Sequence, residues 1–215
     1  MDDGNATVSA TKGPPAIKVI WNVPNVLTVA RLVLSVICFI VFPFEWYLAA
    51  LVLFSIAAGT DWVDGFWARR YGQVTQLGRI LDPFADKIII CGTFTFLAAV
   101  PPTAAGESAS QVTAWMAVVV IARELLVTAL RSFFEEHGSD FSAKWSGKWK
   151  MVFQCAAVAA SLAMLWHYGY ASGFWHPEPP AWVIWSVRLL VWAAVAMTIY
   201  SGWVYVKRAL QMSRG

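Results

Sequence analysis

The sequence predicts an all-α polytopic membrane protein, a bundle of six transmembrane helices, and three observations lead there. Of 215 residues, 59% are hydrophobic and only 13% charged, a balance outside the range of soluble domains. Apolar stretches of the length that crosses a bilayer, about 20 residues of helix, recur near 26–43, 46–60, 79–100, 111–134, 151–168 and 182–206. The basic residues outside those stretches fall on alternate connections only. Lys12 and Lys18, Arg69, Arg70 and Arg79, Lys144, Lys148 and Lys150, and Lys207, Arg208 and Arg214 lie on one set. The segments Pro43 to Trp46, Pro101 to Gln111 and His167 to Trp182 contain no lysine or arginine. By the positive-inside bias, both termini and the 61–78 and 135–150 segments face the cytoplasm.

Along the chain, residues 1–20 are polar, small and proline-bearing, with no apolar core after a basic start, and are expected to be a disordered N-terminal tail. Residues 21–215 form one transmembrane domain, since no repeat or compositional break divides them. Pro101 and Pro102, followed by a Gly/Ser/Ala-rich stretch, end one hairpin, and the run His176 to Pro180 ends another. Both are expected to be ordinary loops. Trp21, Trp46, Trp115, Trp166, Trp182 and Trp203 sit near span ends, where an amphipathic ring suits the headgroup region. Cys38, Cys91 and Cys155 each lie within an apolar span and imply no disulfide framework.

The ionisable residues at membrane depth are the informative ones, because each costs at least about 2.5 kcal/mol on insertion scales. The second apolar stretch runs into Asp61, Asp64, Gly65, Ala68 and Arg69, and the third opens at Gly78 and carries Asp82, Asp86 and Lys87. If helix continues through 61–70, positions 61, 64, 65, 68 and 69 share a stripe, and 78, 82 and 86 share another. A short connection makes these two helices antiparallel neighbours, so four carboxylates converge near the cytoplasmic surface. Repulsion and desolvation would force protonation unless a cation is bound. Oxygen ligands without a His or Cys cluster favour Mg²⁺, with Mn²⁺ next and Ca²⁺ a competitor. Gly65 and Ala68 leave room for a ligand against the helix, and Arg69 offers a fork for phosphate oxygens. The competing reading is that aspartates at helix ends only cap or solvate, with Arg69 and Arg70 as topology determinants.

Taken together, these positions spell DxxDGxxARx8GxxxDxxxD. The pattern resembles, at every fixed position, the signature of the CDP-alcohol phosphotransferase family. That resemblance implies two divalent ions, Mg²⁺ or Mn²⁺, held by Asp61, Asp64, Asp82 and Asp86, with Asp86 also the general base. It implies a CDP site that includes Gly65, Ala68, Arg69 and Gly78. The opening NVPNVLTVARLVL, with Asn25, Thr28 and Arg31 roughly along one helix face, is similar to the first span of the bacterial phosphatidylglycerophosphate synthases within that family. So are IARELLVTALR at 121–131 and SGKWKMVFQ at 146–154, although Met151 stands where a threonine is expected. Asn25 and Thr28 then join the CDP site, and Arg31, lying too deep for a flanking residue, joins the acceptor-phosphate set.

That subfamily's acceptor, glycerol 3-phosphate, is a small dianion and needs a basic pocket beside the carboxylates. Arg123, Arg131, Lys148 and Lys150 are the candidates that accompany Arg31. Against this stands an ion pair of Arg123 with Glu124 that merely ties helices together, and lysines that face anionic headgroups. The implied reaction transfers a phosphatidyl group from CDP-diacylglycerol to glycerol 3-phosphate, giving phosphatidylglycerophosphate and CMP at the inner face of the cell membrane. Its partners would be those substrates, membrane lipids and a second copy in a homodimer, with no nucleic acid. Other acceptors on the same machinery (phosphatidylglycerol, serine, inositol phosphate) are the nearest alternative. A cation or proton transporter is a remote one, since the outer halves of the spans offer no polar path.

Overall fold

A computed structural model describes the backbone of residues 23–71, 76–136 and 145–212, and the side chains within them except those of 23–25, 61–71, 76–80, 82, 135–136 and 145–146. The expected tail at 1–20 lies outside the described residues.

Among the described residues the structure is helical, with six α-helices: α1 (Val23–Val41), α2 (Tyr47–Tyr71), α3 (Gln76–Ala98), α4 (Ala114–Glu136), α5 (Trp145–His167) and α6 (Ala181–Met212). Each matches one of the six apolar stretches read from the sequence, and a 3-10 turn, Phe42–Phe44, joins α1 to α2. Among the described residues three segments are long and apolar enough to cross a membrane: Val26–Phe44, Gly147–His167 and Ala181–Met212. The apolar part of α2, Tyr47–Thr60, is shorter. The helices α3 and α4 hold charged residues within their length, among them Asp86, Lys87, Arg123, Glu124 and Arg131, and so do not read as uniformly apolar.

Each helix packs on at least two others: α1 on α2 and α3, α5 on α2, α3 and α6, and α4 on α3 and α6. One core cluster runs through the bundle, including Phe54, Phe94, Leu97, Val120, Leu162 and Val191. Its residues follow the three-and-four spacing of a helix face. On α1 the fully or nearly buried stripe is Thr28, Arg31, Ser35 and Cys38. On α2 it is Tyr47, Ala50, Phe54 and Ala57. Outward-facing side chains are also apolar, among them Val33, Ile40, Val118, Leu125, Trp185 and Leu189, as expected where lipid rather than water is the solvent. Trp46, Trp115, Trp166, Trp182 and Trp203 are all exposed, in keeping with interfacial anchoring.

Close helix approach is visible at Gly92. A methyl group there would lie 2.1 Å from the tip of the Phe39 ring, so a side chain at this position would require that ring to move. The loops at the end of the bundle away from the aspartates do more than turn. The Tyr170 hydroxyl donates to the Pro101 carbonyl at 2.5 Å, and the Ser172 amide donates to the Glu45 carboxylate at 2.9 Å. Arg188 of α6 reaches the 99–113 connection, donating to Gln111 Oε1 at 2.8 Å and Glu107 Oε2 at 3.1 Å.

Candidate active site

The helix α2 continues to Tyr71, so the backbone of Asp61, Asp64, Gly65, Ala68 and Arg69 is helical, as the stripe argument requires. Positions 61, 64 and 68 prolong the three-and-four spacing of the buried stripe at 47, 50, 54 and 57. Gly78, Asp82 and Asp86 belong to α3, and Pro83, which has no amide to donate, lies inside that helix one residue after Asp82. The side chains of Asn25, Asp61, Asp64, Arg69 and Asp82, and the surroundings of Gly65, Ala68 and Gly78, lie outside the described residues. Among the described residues no group of three or more His, Cys, Asp or Glu could hold a metal ion, and Asp86 is the one signature aspartate in that set.

Asp86 is placed clearly. Its carboxylate forms a salt bridge with Arg31 of α1, whose side chain is completely buried while that of Asp86 is 28% exposed. A guanidinium at this depth needs a counter-charge, and the bridge ties α1 to α3 where the signature ends. Thr28, fully buried one turn before Arg31, lies on the same stripe. Ser35 caps the arrangement by donating to the Arg31 carbonyl at 2.7 Å. Arg31 therefore pairs with Asp86, a partner that the sequence reading did not name.

Arg123 and Lys150 form a second cluster, built by α4, α5 and α6 around Glu124. Arg123 Nη1 lies 3.3 Å from both carboxylate oxygens of Glu124, and Lys150 of α5 donates to Oε1 of the same carboxylate. All three side chains are buried. Arg123 Nη2 donates to Ser201 Oγ of α6 at 2.6 Å, and its guanidinium carbon sits 5.6 Å from the Tyr205 ring centroid. Next along the same interface Gln154 Nε2 donates to Thr198 Oγ1 at 2.9 Å. The ion pair expected as the alternative for Arg123 is thus present, with Lys150 as a third member. Arg131 is half-buried two turns further along α4, and Lys148 is exposed.

Lys87 lies within electrostatic range of both clusters. It follows Asp86 on α3, is half-buried, and has Glu124, Arg131 and Asp86 as its charged neighbours. Arg123 and Lys150 share the carboxylate of Glu124, so among the described residues this cluster carries a net positive charge. Such a surface suits a multiply charged phosphate. The sequence reading missed Lys87 as a site residue, together with Ser201, Tyr205 and Gln154. Their one sequence signal is small or polar residues at helical spacing in apolar spans, namely 150 and 154 on α5 and 198, 201 and 205 on α6.

The oxygen donors on α2 and α3 fit a hard divalent ion chemically. Four carboxylates fall on two consecutive helices, and the partner of Asp86 is a cation that balances one of them.

Comparison with known proteins agrees with this reading. The family model for CDP-alcohol phosphatidyltransferase matches residues 21–200. A CDP-diacylglycerol–glycerol-3-phosphate 3-phosphatidyltransferase of Bacillus subtilis (strain 168) is 34% identical over 204 residues, covering 87% of this chain and 95% of the relative. Proteins of the same name from Salmonella choleraesuis (strain SC-B67) and Escherichia coli (strain K12) are each 34% identical over 197 residues, covering 88% of this chain and 95% of the relative. With the match spanning most of the sequence and the signature intact on two successive helices, the chain belongs to the CDP-alcohol phosphatidyltransferase family.

Proposed function

We propose that this protein transfers a phosphatidyl group from CDP-diacylglycerol to glycerol 3-phosphate, releasing CMP. The observation that carries the reading is the buried Arg123–Glu124–Lys150 cluster on α4 and α5, in a chain whose family signature is intact and ends at the Arg31–Asp86 bridge. The relatives that match most of the chain carry the name of this activity.

In this reading Asp61, Asp64, Asp82 and Asp86 hold divalent ions, Mg²⁺ or Mn²⁺. When bound, such ions neutralise the diphosphate and stabilise the leaving CMP. Arg31 holds Asp86 in place from α1. The Asp86 carboxylate accepts the proton of the attacking glycerol hydroxyl as its oxygen bonds to the phosphatidyl phosphorus and the bond to CMP breaks. No covalent enzyme intermediate is needed. Asn25, Thr28, Gly65, Ala68, Arg69 and Gly78 line the cytidine diphosphate. Arg123, Arg131, Lys148 and Lys150, with Lys87, draw in the acceptor phosphate; Arg31 has the role of orienting Asp86.

We place all six helices across the cell membrane with both termini and the active site at the cytoplasmic face, because the basic connections alternate with connections that lack lysine and arginine. A homodimer is the proposed assembly. The purified protein in detergent tests the reaction: CMP release from CDP-diacylglycerol is measured with glycerol 3-phosphate, phosphatidylglycerol, serine or inositol phosphate. Turnover with glycerol 3-phosphate alone supports the proposal. Turnover only with another acceptor keeps the chemistry and replaces the acceptor.

A further inference from the structure

We propose that α6, which carries none of the family signature, is the positioning wall of the acceptor pocket, and that Ser201, Gly202 and Tyr205 act on the acceptor through Arg123. This rests on the reading of Arg123 as a phosphate-binding residue. The guanidinium of Arg123 is a flat fork whose use against a phosphate depends on its plane being fixed. Glu124, adjacent on the same helix, reaches only Nη1, and at 3.3 Å on both oxygens. The shortest hydrogen bond of the fork comes from α6, where the fully buried Ser201 hydroxyl accepts from Nη2 at 2.6 Å. The Tyr205 ring lies 5.6 Å from the guanidinium carbon and bounds it on another side.

Gly202 completes the wall. A β-carbon at this position would lie 3.2 Å from Arg123 Cγ, so the absent side chain is what lets the arginine stem run against the α6 backbone. Positions 198, 201, 202, 205 and 209 are all buried on one face of α6, and Thr198 continues the polar line by accepting from Gln154. A helix face that only filled space would not need a hydroxyl, a glycine and an aromatic ring on one guanidinium. The arrangement makes selectivity for a phosphorylated acceptor depend on a helix remote in sequence from the carboxylates.

The test uses the full-length protein in detergent with Mg²⁺ and compares Ser201→Ala, Gly202→Ala and Arg123→Gln with the parent. Each is assayed for the KM of glycerol 3-phosphate, the KM of CDP-diacylglycerol, kcat and thermal unfolding. Ser201→Ala removes one hydrogen bond to a charged group and is expected to raise the KM of glycerol 3-phosphate about three- to tenfold, with the other kinetic constants within about twofold. Gly202→Ala, which displaces the arginine stem without removing a bond, is expected to move the same constant in the same direction. If Arg123→Gln raises that KM but neither α6 variant does, the positioning role is wrong and the pocket stands. If Arg123→Gln leaves it unchanged, the pocket reading falls and this proposal with it. Parallel losses in both KM values, kcat and unfolding temperature would show a purely structural α6 and overturn the proposal. Should Ser201→Ala not fold, Gly202→Ala decides.

Discussion

Replacing Glu124 by leucine tests how the buried cluster on α4, α5 and α6 is held together. The substitution keeps approximate volume and removes the one carboxylate shared by Arg123 and Lys150, whose residues are 9% and 6% exposed. Two cations would then lie buried without that counter-charge, and breaking a buried pair in this way costs about 3–5 kcal/mol. Lys150→Met is milder, because Glu124 keeps Arg123 at 3.3 Å, and should cost about 1–3 kcal/mol, the range for an unmade hydrogen bond to a charged group. For a chain of this length each kcal/mol moves the unfolding midpoint by roughly 2–4 °C. The assay is thermal unfolding of purified protein in one detergent. The triple replacement Arg123→Met, Glu124→Leu and Lys150→Met should regain much of the stability that Glu124→Leu alone loses, while losing turnover with glycerol 3-phosphate. A loss below about 1 kcal/mol for Glu124→Leu, or a larger loss for Lys150→Met, would refute the shared-carboxylate account.

Further outcomes follow from the same geometry. Asp86→Asn should lower CMP release about a hundredfold or more if Asp86 is the proton acceptor as proposed, with unfolding measured alongside because Arg31 loses its ionic partner. Chelation should abolish CMP release, and added Mg²⁺ or Mn²⁺ should restore it, read in the same assay. Gly92→Ala places a methyl 2.1 Å from the Phe39 ring and should destabilise by about 1–3 kcal/mol in an unfolding titration. Tyr170→Phe removes the hydroxyl that clasps Pro101 and should cost about 1 kcal/mol without altering turnover.

Much of this architecture is legible in the sequence because bilayer thickness and helix period constrain it. The apolar stretches predicted six helices, and the carboxylate stripe required helix through 61–70; α2 does run to Tyr71. Deep charge marked Arg31, Arg123 and Glu124 as unusual, and adjacency offered Arg123 and Glu124 as a pair, but Asp86 and Lys150 were not named as partners. Arg31 meets Asp86 across 55 residues and Lys150 meets Glu124 across 26, and no local spacing encodes such encounters. Arg31 joined the acceptor set because of its depth and the resemblance of the first span, and helix packing adds a partner that the sequence did not name, the signature carboxylate Asp86. The loops at Pro101 and His176 looked ordinary since their ties run through Tyr170, Ser172 and Arg188 to residues distant in sequence. Ser201 and Gly202 read as small residues in a span until the arginine lying against them is seen.

The most direct measurement is Mn²⁺ binding to the purified protein, followed by electron paramagnetic resonance with CDP-diacylglycerol present. The account predicts saturable binding that Mg²⁺ competes away and that weakens when Asp61, Asp64 or Asp82 becomes asparagine. Parent protein that binds no Mn²⁺ while still releasing CMP in chelator would contradict it.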